Sequence, residues 1–118
     1  HKEHLEHLKM VYIALDLIPY TCGLTTVESL DMGVPVVGLS GRLLCHRHST
    51  SHLTITGHEE LVAASVEEYV QIAVDLAKDS GRIRKYRRKL RQDLIDSPLL
   101  EHKKFTSDLI QKMAALVS

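Results

Sequence analysis

The stretch from Thr25 to Leu39, TTVESLDMGVPVVGL, constrains the fold of this chain more than any other. Thr25 and Glu28 have the T-x-x-E spacing of a capping box, which predicts the N-terminus of a helix. Gly33 stands just past that helix, where a left-handed residue is usual. The apolar run 34–39 is typical of a parallel strand that is buried on both faces. We therefore predict a helix, a tight turn and a buried strand.

A loop rich in turn formers and small residues, 19–24, leads into this helix. Such a loop gathers free backbone N–H groups and hydroxyls around one point, which favours an anion and most often a phosphate. Before the loop, the apolar run 11–15 followed by Asp16 indicates another buried strand. Strand, loop, helix and strand form a βαβ unit, which implies a parallel sheet. A doubly wound sheet normally has five or six strands, so we expect the chain to be a piece whose earlier strands precede residue 1.

The length and charge of the chain narrow its class. With 118 residues we expect a single domain over 1–118. Fifteen basic and fifteen acidic residues balance, so we expect no nucleic-acid partner and no membrane. The two cysteines have neither a disulfide pattern nor a metal-binding spacing, which favours a reduced, cytoplasmic setting.

The rest of the sequence predicts mostly helix. We expect helices at 1–9, 42–53, 66–77, 82–96 and 103–116, and a brief edge strand at 63–64. Ser65 and Glu68 form a second capping box at the start of the third of these helices. The apolar stripe of the last helix, which we expect to face inward, consists of Phe105, Leu109, Met113 and Leu116. The predicted class is therefore α/β, with a short parallel sheet and an all-helical C-terminal half.

The string LDLIPYTCGLTTVESLDMGVPVVGLSG resembles the C-terminal catalytic region of the O-linked N-acetylglucosamine transferase family, which includes bacterial proteins joined to tetratricopeptide repeats. The resemblance continues through Arg47 and the segment 68–70 to 97–99. It implies that the chain is a partial, Rossmann-like C-terminal domain of a GT-B glycosyltransferase. Such enzymes transfer N-acetylglucosamine from UDP-N-acetylglucosamine to Ser or Thr hydroxyls of proteins with inversion, and they need no metal.

The resemblance also implies a set of donor-binding residues. Glu28 would accept hydrogen bonds from the ribose hydroxyls, although it could serve only the capping box. His4 would contact the nucleotide, or be merely a surface histidine, and Arg47 would either face the cleft or brace its helix. The full set is His4, His7, Gly23, Leu24, Thr25, Thr26, Glu28 and Arg47. Of these, Thr25 and Thr26 match a pair that contacts the diphosphate, and His7 stands where the family often has Arg.

The loop departs from the family pattern. Thr21 and Cys22 stand where Asn-Gly is usual, and Leu24 removes a hydroxyl beside the phosphates. Lost donors there would weaken diphosphate binding by about 1–3 kcal/mol if nothing replaces them. Two alternatives therefore stay open: an enzyme like UDP-N-acetylglucosamine 2-epimerase, and a non-catalytic nucleotide-binding or scaffolding module.

Other features of the sequence give weaker evidence of function. His48 and His52 have the i, i+4 spacing of zinc ligands, but no third ligand accompanies them, so we expect no metal. The basic run 82–91 is interpreted as a solvated helix face. The expected partners are a nucleotide sugar, a protein acceptor and an upstream domain of the same enzyme. The catalytic base would lie outside this chain, which alone would turn over nothing.

Overall fold

A computed structural model describes residues 1–118, which form six α-helices and three short strands. The helices are α1 Lys2–Leu8, α2 Leu24–Asp31, α3 His48–Ile55, α4 Val66–Lys78, α5 Ser80–Ile95 and α6 His102–Val117. The strands are β1 Ala14–Leu15, β2 Val36–Leu39 and β3 Val62–Ala63. Single turns of 3-10 helix occur at Leu44–His46, Glu59–Leu61 and Pro98–Leu100. None of the helices has the length and apolar character needed to cross a membrane.

The three strands form a parallel sheet in the order β1-β2-β3. Ala14 pairs with Val36, and Gly38 pairs with Val62. The predicted parallel βαβ unit is therefore confirmed, and the expected edge strand exists one residue earlier than predicted. The first strand is shorter than the predicted 11–15, because the Val11 carbonyl accepts a hydrogen bond from the Arg87 guanidinium instead of joining the sheet.

The core lies between the sheet and helices α2 to α5. Leucines from five elements are fully buried there: Leu30, Leu53, Leu61, Leu76 and Leu90. Each contributes about 1.5–3 kcal/mol by leaving water. The central strand β2 is buried at Val36 and Val37, because helices cover both faces of a parallel sheet. The buried core thus surrounds the stretch that the sequence singled out.

Gly33 ends α2 in a left-handed conformation with φ of 75°, as predicted. The Val34 N–H donates to Ser29 O at 2.8 Å, and the Gly33 N–H donates to Leu30 O at 3.0 Å. This pair of bonds is a Schellman motif, which satisfies the last carbonyls of the helix. A β-carbon at Gly33 would lie 2.9 Å from the Arg87 carbonyl oxygen, so α5 also packs against this turn.

The two predicted capping boxes have different outcomes. Ser65 caps α4, since its hydroxyl accepts from Glu68 N at 3.1 Å, while the Glu68 carboxylate accepts from Ala64 N. The prediction of a capping box at Thr25 and Glu28 is wrong. Helix α2 begins at Leu24 with Gly23 as its N-cap, so Thr25 is already inside the helix and no side chain caps it.

Three predicted helices also differ from the structure. The helix expected at 42–53 is a 3-10 turn followed by α3, because Thr21 of the preceding loop bonds both to Cys45 O and to His48 N. Helix α5 begins at Ser80 rather than at 82, because the Asp79 carboxylate caps it. Helix α6 forms, but its apolar residues do not face inward: Phe105, Leu109, Met113 and Leu116 are 68%, 46%, 59% and 85% exposed. No other part of the chain covers that face.

Candidate functional site

Asp16 fixes the loop at the carboxyl end of β1. Its side chain is buried, and its Oδ1 accepts hydrogen bonds from Leu17 N at 3.0 Å and Cys22 N at 2.8 Å. The Tyr69 hydroxyl, from α4, donates to the Asp16 carbonyl at 2.9 Å. Asp16 therefore orients the loop. Burial, followed by the hydrogen bond and the charge of Asp16, raises the pKa of the Cys22 thiol, which keeps this thiol protonated.

A buried group of hydroxyls joins the loop to α2 and α3. Thr26 Oγ1 donates to Cys22 O at 3.0 Å and lies 2.7 Å from Ser49 Oγ, which also donates to Cys22 O. Thr21 Oγ1 donates to Cys45 O and accepts from His48 N, each at 3.0 Å. Because Thr26 is 1% exposed, its hydroxyl holds the loop and does not face a ligand, contrary to the predicted diphosphate contact.

The N-terminus of α2 is open. No side chain caps it, and the N–H groups of Leu24 and Thr25 make no hydrogen bond within the chain. Both residues are exposed, and Gly23 leaves the approach to them free of a side chain. The first N–H groups of a helix carry its positive partial charge, so this end favours an anion. Gly23, Leu24 and Thr25 thus form the open N-terminus of α2.

Glu28 lies one turn further along α2 and faces α1. Its Oε2 is 3.4 Å from His4 Nε2, and its Oε1 is 3.4 Å from His1 Nδ1. The carboxylate is 13% exposed, whereas the His4 side chain is 47% exposed. The structure therefore brings His4 and Glu28 together, as the predicted site requires. His7 is exposed on α1 and is not brought to this carboxylate.

Arg47 stands at the N-cap of α3, and its guanidinium donates to Gly41 O at 3.3 Å. It is exposed and braces the loop after β2.

His48, the neighbour of Arg47, is not among the residues that the sequence predicted for the site. The His48 Nδ1 is 3.8 Å from the point that a β-carbon on Gly23 would occupy, and its ring meets that of Tyr20 edge-on at 6.3 Å. The hydrogen bonds of Thr21 and Cys22 to α3 produce this proximity, which no spacing in the sequence could reveal.

The N-terminus of a helix at the carboxyl end of a parallel sheet is where many α/β proteins bind phosphorylated nucleotides. Comparison with known proteins identifies the family within this class. Residues 1–109 match the family described as Glycosyl transferase family 41. The chain belongs to that family.

Individual relatives agree with this assignment. The chain is 39% identical over 107 residues to "Probable UDP-N-acetylglucosamine--peptide N-acetylglucosaminyltransferase SPINDLY" of Hordeum vulgare, an alignment that covers 91% of this chain and 11% of the relative. It is 33% identical over 109 residues to "UDP-N-acetylglucosamine--peptide N-acetylglucosaminyltransferase" of Caenorhabditis elegans, with 92% of this chain and 9% of the relative covered. The chain thus spans about a tenth of the length of these curated relatives.

A solved structure confirms the predicted fold. The chain superposes on the K341M mutant of the Thermobaculum terrenum O-GlcNAc transferase with a TM-score of 0.87 and 34% identity. This match covers 96% of the chain and 22% of the solved one. The fold is therefore that of part of a GT-B glycosyltransferase. These relatives are transferases, which favours the transferase interpretation over the epimerase alternative.

Proposed function

We propose that this chain forms the nucleotide-sugar side of the donor site in a protein O-glycosyltransferase. The complete protein would transfer N-acetylglucosamine from UDP-N-acetylglucosamine to Ser or Thr hydroxyls with inversion. One observation supports this most: the open N-terminus of α2 lies one helical turn from the Glu28 carboxylate, which His4 approaches to 3.4 Å. A phosphate-binding group and a group for a vicinal diol are thereby held on a single rigid helix.

In this proposal each group meets a chemically matched part of the donor. The Glu28 carboxylate offers two acceptor oxygens to the two ribose hydroxyls, and His4 lies beside it to contact the nucleotide. The N–H groups of Leu24 and Thr25 stabilise negative charge on the diphosphate, both in the bound donor and on the departing UDP. No residue of the chain is assigned as the base that activates the acceptor hydroxyl, and no metal is assigned to the reaction.

An upstream domain of the same enzyme would complete the site. The loop and the segment after β2 expose large apolar side chains at one edge of the sheet: Leu17, Ile18, Tyr20, Leu24, Leu43 and Leu44 are 49–79% exposed. In a two-domain transferase this edge would face the cleft, where the upstream domain and the protein acceptor would cover it. We expect the base, most of the sugar contacts and turnover itself to need that domain, and we expect the complete enzyme to be cytoplasmic.

A titration of the protein with UDP tests this proposal. We expect binding with a Kd on the order of 0.1–1 mM, which corresponds to about 4–5.5 kcal/mol. Glu28→Gln removes the charge and one strong acceptor, so we expect it to weaken binding by about tenfold or more. Chemical-shift changes in NMR spectra of the labelled protein measure such weak binding and show at the same time that each variant is folded.

Asp31→Asn is a matched control, because Asp31 lies on the same helix and pairs with Arg91 on α5 instead of facing α1. We expect its UDP affinity to equal that of the unaltered protein. Equal losses in the two variants would show that the effect is one of helix charge and would contradict a ribose contact. A folded protein without any UDP binding would contradict the proposal.

A non-catalytic scaffolding role is the second candidate, and one observation favours it. Leu24 is 72% exposed at the point where a polar group would serve the phosphates. In a decayed site the unaltered protein would bind neither UDP nor UDP-N-acetylglucosamine. The same titration therefore distinguishes the two functions.

A further inference from the structure

The position of Leu24 leaves the proposed donor site short of one polar group. Its side chain is exposed at the open N-terminus of α2 and offers no hydrogen-bond donor. The Thr26 hydroxyl, which could have served instead, is buried and bonded to Cys22 O. A side chain from another element would have to supply the missing donor.

His48 is placed to do so. Its Nδ1 lies 3.8 Å from the point where a β-carbon on Gly23 would be, and Gly23 is the N-cap of α2. The ring contacts Tyr20 edge-on, and neither ring nitrogen has a hydrogen-bond partner within the chain. Its backbone is fixed, because the His48 N–H donates to Thr21 Oγ1 at 3.0 Å. An imidazole whose nitrogens have no partner within the chain therefore stands beside Gly23, the N-cap of α2.

The charges around His48 suit an anion. It makes no ion pair with a carboxylate, whereas His1, His4 and His58 each lie within 3.4 Å of one. Its neighbour Arg47 is cationic, and His52 lies one turn further along α3. Burial, and then the charge of His48, lowers the pKa of His52. The permanent positive charge next to His48 in the chain is therefore that of Arg47, and it favours an anion there.

We propose that His48 donates a hydrogen bond to the diphosphate of the nucleotide bound at the N-terminus of α2, in place of the polar group that Leu24 lacks. This inference rests on the proposed function and assigns to the same site a residue on another helix. The bond involves an ionised acceptor, which makes it stronger than a hydrogen bond between neutral groups. Only a ligand with phosphate groups uses His48, because Glu28 and His4 serve the nucleoside.

Parallel NMR titrations with UDP and with uridine test this assignment. His48→Ala should weaken UDP binding by about tenfold and leave uridine binding unchanged. His48→Lys should restore most of the UDP affinity, because the ammonium group also donates to phosphate. The matched control is His52→Ala, which removes an imidazole from the same helix one turn away and should bind UDP like the unaltered protein.

Each other outcome is decisive. Unchanged UDP binding in folded His48→Ala overturns the assignment, while the loss in Glu28→Gln keeps the nucleotide site. Equal losses of UDP and uridine overturn it too, because they reveal an effect on the loop and not on phosphate. A folded, unaltered protein that binds no UDP overturns both the assignment and the proposed function.

Discussion

At the scale of single residues, identical sequence patterns have different outcomes. Ser65 has an extended backbone and caps α4, whereas Thr25 in the same T/S-x-x-E pattern caps nothing. The difference lies in the chain that enters each helix. Asp16 holds Cys22 N, and α2 starts at Leu24 with Gly23 as its N-cap, two residues before the predicted N-cap Thr25. A capping pattern predicts that a helix begins nearby, but distant contacts decide which residue takes the cap.

Two glycines allow the steric cost of an added β-carbon to be separated from the cost of a left-handed backbone conformation. Gly33 and Gly57 have similar φ values of 75° and 83°. A β-carbon at Gly33 would meet Arg87 O at 2.9 Å, but at Gly57 it would meet nothing within 4 Å. We expect Gly57→Ala to cost about 1–2 kcal/mol of unfolding free energy through conformation alone. Gly33→Ala should cost about 1–3 kcal/mol more, since α5 must also shift. Urea unfolding of the two variants measures both values, and equal losses would contradict the contact with Arg87.

At the scale of elements, a polar cluster joins the turn before β3 to α5. The buried His58 lies 2.9 Å from Asp93 through Nε2 and 3.2 Å from Glu60 through Nδ1. The Tyr86 hydroxyl donates to Glu60 Oε1 at 2.7 Å. Burial alone would raise the pKa of Glu60, but the hydrogen bonds from Tyr86 and His58 outweigh it and lower that pKa. The sequence predicted a helix here but not this cluster, because its contacts between the turn and α5 join residues 26 to 35 positions apart in sequence.

The cluster makes the free energy of unfolding depend on pH in the alkaline range. Burial, and then the hydrogen bond to Glu60, raises the pKa of Tyr86 from 10.0 to about 12. Between these values the unfolded chain has lost the phenolic proton and the folded chain keeps it, so the free energy of unfolding falls as pH rises. We expect Tyr86→Phe to flatten this decline. The decline should not vanish, because burial and the charge of Asp16 raise the pKa of Tyr69 too. Chemical unfolding at pH 9.5 to 11.5 measures the slopes, and equal slopes would refute the role of Tyr86.

At the scale of the whole molecule, the fold class followed from the sequence, but the surroundings of α6 did not. The βαβ unit is local, and its apolar runs and Gly33 carry enough signal to predict it. Helix α6 also has a clear apolar stripe, yet Phe105 and Leu116 are 68% and 85% exposed. A stripe predicts that a helix has a side to bury, but it does not say which polypeptide segment buries it. For a similar reason the sequence suggested only part of the candidate site, since His48 reaches that site through a loop contact.

The exposure of α6 leads to a prediction for the whole chain. Because none of its residues is buried, removing 102–118 should lower the free energy of unfolding by less than about 1 kcal/mol. In contrast, Leu90→Ala should cost about 2–5 kcal/mol, because that side chain is 1% exposed in the core. Urea unfolding of the shortened chain and of the Leu90 variant makes the comparison. A large loss on removal of α6 would show that it packs against the body in solution.

The hydroxyl groups that tie the loop to α2 and α3 have a consequence for the entropy of binding. Thr21, Thr26 and Ser49 fasten the loop from within, and Asp16 fixes it from the strand. Its backbone order is therefore established when the protein folds and not when a ligand arrives. Any ligand that reaches the N-terminus of α2 meets a surface with little freedom left to lose, so more of the contact energy is retained as affinity.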